Sequence, residues 1–400
     1  MIHNFEYLWS TKLIIGDHGI DKIGPMIKAD GATKVMLHYG GGDYLWSTGL
    51  MDRIIRSLDS VGLQWIQLGG VKPNPRLSLV YEGIELVREH DIDYIISIGG
   101  GSACDSSKAI AMGAVYKGDV WDLFDMSGKL APDAKIIPVA AVVTYPATGS
   151  EAGVTAVVNN EKIIRKTWAG HEKARPHFAF MDPQYTVTLP QHLLINGMCD
   201  IMAHHTDRYM TDDAHFGVFD NLLESAMHYL RTELIPTILD PDKDNLVDRT
   251  ELMAIADMGV DEFIAWGRNK ENASHQLGHS IGAMYDTIHG STLSIIYCSW
   301  LPYVYKDNVL RVARWAEKVW DVKSDPAHPE KVAEEGMARM KQWFISLGMP
   351  TCFADLGIHP TEDELQHMTD MTTIAMGSDH IGVMKKLYRE DILQIYKNAL

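Results

Sequence analysis

Short runs of β-forming residues alternate with stretches of helical period through about residue 185, and beyond Pro190 almost every segment has helical period. Lys34–Tyr39, Leu63–Leu68, Tyr94–Ile98 and Ile136–Val143 read as strands, with Thr48–Leu58, Leu77–Glu89 and Ser102–Tyr116 as helices between them. Parallel neighbours need a long crossover, usually a helix, so this pattern confines the first part to βαβ units around a mostly parallel sheet. Asp182-Pro183 through Leu189-Pro190 breaks it, because proline disfavours helix in the residue before it. Asp248–Arg268, Pro329–Leu347 and Arg389–Asn398 then place apolar residues at helical spacing, and Thr361 with Glu364 makes a capping box. The expectation is an α/β domain over 1–186 followed by an all-α domain over 187–400.

At 400 residues the chain is long enough for two cores, and 46% hydrophobic with 22% charged residues is globular composition. A net charge of −17 with no lysine or arginine cluster argues against nucleic acid and anionic membrane surfaces as partners, leaving small molecules or other proteins. Cys104, Cys199, Cys298 and Cys352 are scattered, which indicates neither a disulfide framework nor a thiolate metal site. With no basic-then-apolar leader and no apolar stretch long enough to span a bilayer, a cytoplasmic location is expected.

Asp200 and His204 are four residues apart in a helical stretch, so both side chains share one face; His275 and His279 repeat the spacing, and His289 follows. One carboxylate among several imidazoles suits Fe2+, Zn2+ or Co2+, and the absence of thiolate disfavours a closed structural zinc site. Among 18 histidines such pairs also arise by chance, and spacing alone does not choose the ligands. His205 points off the shared face and is expected to be packed or solvent-exposed.

Three glycine-bearing loops follow strands. Gly99, Gly100, Gly101 and Ser102 stand between a buried strand and a helix, where backbone N–H groups can cradle a pyrophosphate; a plain turn with Ser102 as N-cap is the simpler reading. Gly40, Gly41, Gly42 and Asp43 end the first strand, and the carboxylate there could accept from an adenosine ribose while repelling a 2′-phosphate. Neither loop has the standard GxGxxG pattern. In the third, Thr144, Thr148, Gly149, Ser150 and Glu151 crowd small and hydroxyl residues together, either around a cofactor or as an ordinary turn. A dinucleotide-binding half joined to a metal half points to hydride transfer at a metal-held alcohol.

Nearly the whole chain resembles the iron-containing, or group III, alcohol dehydrogenases, and most closely their butanol dehydrogenase and aldehyde reductase branch. The likeness lies in PNP at Pro73–Pro75, GGGSACDSSK at Gly99–Lys108, PATGSE at Pro146–Glu151, DPQYTVTLP at Asp182–Pro190, and the stretches GMCDIMAHHTDRYM and ASHQLGHSIGAMYDTIHG. It implies a dehydroquinate synthase-like architecture in which Asp200, His204, His275 and His289 hold Fe2+ or Zn2+, with His279 a catalytic histidine beside them. It further implies a pyrophosphate loop at Gly99–Ser102 with Asp105 nearby, and nicotinamide-side contacts at Thr144, Lys166 and Tyr185. For the last two, a surface lysine and a core tyrosine are the plain readings.

NADPH-using members of this branch carry serine and lysines where Asp43, Tyr44 and Leu45 stand here, which favours NAD(H) over NADP(H). Ala152 and Gly153 occupy a region where the family often has asparagine. The implied activity is reversible oxidation of a primary alcohol to an aldehyde, in a homodimer. Two alternatives are a polyol dehydrogenase or dehydroquinate synthase-like enzyme, and a non-catalytic metal or dinucleotide sensor.

Overall fold

β1 (Lys12–Ile15), β2 (Lys34–Gly40), β3 (Gln64–Val71), β4 (Tyr94–Gly99), β5 (Val139–Val143) and β8 (Phe178–Met181) pair in parallel, in the order β1-β8-β5-β4-β2-β3. These assignments come from a computed structural model that describes residues 6–40, 42–260, 262–265, 267–374 and 379–400. β6 (Thr155–Asn160) and β7 (Arg165–Gly170) form a separate antiparallel hairpin.

The sheet is covered on both faces, which is why its central strands are continuous apolar runs; β5, Val-Ala-Ala-Val-Val, is buried throughout. Val35 and Leu37 of β2 pack with Ile54 and Leu58 on one side, and Met36 packs with Val80, Ile84 and Ile110 on the other. Each fully buried side chain of this kind contributes about 1.5–3 kcal/mol.

The expected strand Ile136–Val143 begins only at Val139, because Pro138 has no N–H for a ladder. The expected helix Thr48–Leu58 starts only at Leu50, because Gly49, at a φ of 72°, caps it after the short helix Tyr44–Ser47 has ended at Thr48. β1 and β8, four residues each, are too short to show a period. Helix starts at Gly101, with Gly100 as N-cap, so Ser102 lies inside the first turn. Thr361 and Glu364 form the expected capping box: the Thr361 N–H donates to Glu364 Oε2 at 2.8 Å and the Glu364 N–H to Thr361 Oγ1 at 3.2 Å.

Two compact units result, residues 8–194 with 242–260, and residues 1–7 with 195–241 and 261–400. Relative to a division at 186/187, the helix Leu246–Val260 returns to the α/β unit. Arg249 on it donates to the Thr186 carbonyl at 2.5 Å and pairs with Asp244 at 2.6 Å. Gly149 makes room for the same helix: a Cβ there would stand 2.8 Å from the Ala256 carbonyl. The second unit is built of helices, and no helix among the described residues is long and apolar enough to cross a membrane.

Candidate active site

The helices Gln191–Tyr209, Ala273–Tyr285 and His289–Val304 carry the metal candidates. Small residues let these helices approach closely. A Cβ on Gly290 would fall 2.3 Å from the Asn196 carbonyl, and one on Gly278 would fall 2.9 Å from Thr292 Oγ1. Ser291 Oγ then donates to Asn196 Oδ1 at 2.9 Å, one helical turn before Asp200.

On this frame Asp200 Oδ1 lies 3.5 Å from His204 Nε2, 3.6 Å from His275 Nε2 and 3.7 Å from His289 Nε2. Ligands about 2.1 Å from a tetrahedral ion stand about 3.4 Å apart, so these separations are those of a coordination shell, too long for hydrogen bonds. One ligand atom each of Asp200, His275 and His289 falls within 4.8 Å of the others; His204 is outside that tighter group of three and stacks on His275 with ring centroids 4.2 Å apart. Asp200 Oδ1 and His275 Nε2 are buried without a hydrogen-bond partner, an arrangement that costs several kcal/mol unless a cation lies between them. The donor set therefore fits a divalent ion.

Asp207 explains why His275 presents Nε2. Its carboxylate is fully buried and accepts from His275 Nδ1 at 2.7 Å, with Ser274 Oγ at 2.8 Å and Tyr297 Oη also bonded to it. That bond assigns the proton to Nδ1 and leaves the Nε2 lone pair facing Asp200. Burial alone would lower the His275 pKa, but the Asp207 and Asp200 carboxylates overcome it and push it up to about 9; a divalent cation would supply the same compensation with Nε2 deprotonated. His204, largely removed from solvent and beside His275, is held well below the ordinary range. His279 is buried with its ring 5.5 Å from that of His289. His205 is packed: Nδ1 bonds the Ile201 carbonyl at 2.9 Å, and burial pulls the ring down to about 4.

Sequence reading passed over Asp207, although seven residues after Asp200 is two helical turns along the same face. It also passed over Glu271. That buried carboxylate accepts from the N–H groups of Asn272 and Ala273 at 2.9 Å, and of Val383 and Met384 at 2.9 and 2.8 Å, fastening the start of the His275 helix to the 383–384 segment.

In the α/β unit the three loops leave the carboxyl ends of β2, β4 and β5. The chain runs from β2 outward to β3 and then returns to β4 on the other side, so Gly40 and Gly99 end the two strands flanking the topological switch point, the customary ligand position in open α/β sheets. Gly99, at φ 149°, starts the turn, and its carbonyl accepts the Thr144 N–H at 2.9 Å. A Cβ on Gly100 would meet Tyr145 Cβ at 2.9 Å, and one on Gly101 would meet Thr148 Oγ1 at 2.3 Å. Tyr44 Oη bonds Thr144 Oγ1 at 2.6 Å, linking the end of the Gly40–Asp43 loop to the others.

Gly99, Gly100, Gly101, Thr144 and Thr148 are thus brought together. Gly42 and Asp43 are exposed, and Gly41 lies outside the described residues. Asp105 turns to Ser150 Oγ at 2.5 Å and the Val157 N–H at 3.1 Å. Lys166 donates to Asn74 Oδ1 of the PNP turn at 2.8 Å, and Tyr185, in the core beside β8, accepts from Arg53 at 2.9 Å.

Comparison with known proteins matches nearly the whole chain. The profile for iron-containing alcohol dehydrogenase matches residues 10–183, and that for the C-terminal part of the Fe-containing alcohol dehydrogenase family matches residues 194–400. The NADH-dependent butanol dehydrogenase A of Clostridium acetobutylicum is 32% identical over 99% of both chains, and the NADPH-dependent aldehyde reductase YqhD of Escherichia coli is 27% identical over 97% of this chain and 99% of its own. Among solved structures, the NADH-dependent butanol dehydrogenase A of Thermotoga maritima superposes with a TM-score of 0.92 at 31% identity, covering 100% of this chain and 99% of its own. With both halves matched in sequence and fold, and a donor set suited to a divalent ion, this chain belongs to the iron-containing alcohol dehydrogenase family.

Proposed function

We propose that the protein interconverts primary alcohols and aldehydes with NADH as the preferred hydride carrier and with Fe2+ or Zn2+ held by Asp200, His204, His275 and His289. The observation that carries this is the convergence of three imidazole Nε2 atoms on one buried carboxylate oxygen at 3.5–3.7 Å. When bound, the ion supplies Lewis acidity toward the alcohol or carbonyl oxygen and the nicotinamide supplies or accepts hydride.

The rest falls to the chain's own side chains. Asp207 fixes the tautomer and ring orientation of His275. His279, with its ring beside His289, holds or passes the proton that alcohol oxidation releases and aldehyde reduction consumes. Gly99–Ser102 offer N–H groups at a helix start to a pyrophosphate, and Thr144 and Thr148 line the same turn. Asp43 supports the preference for NADH, because a 2′-phosphate beside it would meet like charge where cations are needed. Relatives named NADH-dependent butanol dehydrogenases, at 32% identity, support it too.

The experiment is to load the protein with Fe2+ or Zn2+ and follow NADH against NADPH oxidation at about 340 nm, the nicotinamide band, across a panel of aldehydes. Turnover with NADH is expected. Absence of turnover in both metal forms with every aldehyde would sink the enzymatic reading and leave a metal or dinucleotide sensor. Light scattering checks the expected homodimer.

A further inference from the structure

We infer that Lys108 is a positioning residue for the dinucleotide: its buried ammonium holds the 150–155 segment so that Thr148 is pressed onto the first residue of the pyrophosphate helix. The inference rests on the reading that the Gly99–Ser102 turn takes the cofactor. A lysine shortly after a glycine-rich turn is ordinarily taken for a phosphate contact. Here it follows Gly101 by seven residues, two helical turns or about 10 Å down the axis, and its side chain is fully buried.

Lys108 Nζ donates to the carbonyls of Ser150 at 2.6 Å, Gly153 at 3.0 Å and Thr155 at 2.7 Å, and lies 2.8 Å from Ser150 Oγ. The backbone from Ser150 to Thr155 is wrapped around one cation. Asp105, one turn nearer the glycines, accepts from Ser150 Oγ and from the Val157 N–H. Two charged side chains of one helix therefore fix the segment, and Thr148 lies two residues before it. Thr148 Oγ1 in turn accepts the Ser150 N–H at 3.1 Å and stands 2.3 Å from where a Gly101 Cβ would be.

Without the ammonium, buried carbonyls would lose their donor and the segment would have to turn them elsewhere. The loop that lines the turn would move with it. The pyrophosphate turn is therefore left to backbone N–H groups and the helix start, while this cation acts from behind.

The test uses the full-length, metal-loaded protein and NADH as the probe. Lys108→Met is expected to weaken NADH binding at least tenfold by fluorescence titration. Metal content and kcat at saturating NADH should stay within twofold of the unsubstituted protein. An NADH Kd within twofold of the unsubstituted protein would overturn the inference. So would parallel loss of metal and kcat, since a merely structural lysine would lower all three. If Lys108→Met does not yield folded protein, Ser150→Ala carries the test, with a several-fold weaker NADH Kd expected and unchanged metal; an unchanged Kd there overturns it equally. Failure of the unsubstituted protein to bind NADH or NADPH would remove the cofactor reading and this inference together, and that result is read before any variant is made.

Discussion

The proposed metal centre draws on side chains carried by three helices, whereas the proposed cofactor site at the strand ends draws on backbone that glycines leave uncovered. The first arrangement converges atoms: Asp200 Oδ1 and three Nε2 atoms meet because Gly290 and Gly278 allow their helices to close in. The second removes them: Gly99, Gly100 and Gly101 matter for the volume they do not occupy against Ala103, Tyr145 and Thr148. A side-chain site fails when a ligand atom is lost, and a backbone site fails when one carbon is added.

The largest expected effect breaks the metal side alone. Asp200→Ala should abolish stoichiometric metal in elemental analysis and lower kcat/KM by more than the about 10- to 100-fold typical of residues that only orient a ligand. Native metal content in this variant would refute the ligand assignment. Chelation of the intact protein should lower its thermal midpoint, since an ion at about 1,000 times its Kd adds about 4.1 kcal/mol of stability.

Next, His279→Ala should reduce kcat by about 10²–10⁴, the usual range for a proton-transfer group, with bound metal intact. Metal loss in that variant would transfer His279 from proton handling to the support of the ion. Asp207→Asn keeps an acceptor near Nδ1 but removes the charge, and metal affinity measured by competition with a chelator should weaken about 10- to 100-fold. Unchanged affinity would mean that Ser274 and Tyr297, and not His275, are what Asp207 serves.

The smallest effect tests the cofactor side. Gly101→Ala puts a Cβ 2.3 Å from Thr148 Oγ1 and should cost about 1–3 kcal/mol through overpacking, read as weaker NADH binding with full metal occupancy. If metal falls with it, the two regions are not separable in the way the comparison holds.

Legibility in the sequence follows the same contrast. The parallel sheet was readable because strands covered on both faces become apolar runs such as Val139–Val143, and helices between them keep their period. The four-residue β1 and β8 were not, because four residues span too little to distinguish a strand from a loop. The stretch Asp248–Arg268 carried a clear period, of which the α-helix occupies Leu246–Val260, but no sign of its partner: its place in the α/β unit depends on Gly149 and Arg249, contacts distant in sequence. Asp200, His204, His275 and His279 announced themselves by helical spacing, while the rank of ligands among them came from family likeness. Asp207 shares that face but resembled any helical aspartate.

By itself, then, the sequence determined the alternation that forces a parallel sheet, the helical second half and the residue types able to hold a divalent ion, since these depend on local period and side-chain chemistry. Only the tertiary structure decided which carboxylate orients His275, that Asp105 and Lys108 turn toward the 150–157 segment, and that Tyr185 is tied to Arg53. Each of those outcomes joins residues brought together by packing, and a period of 2.0 or 3.6 residues records which face a side chain occupies but not what it meets there.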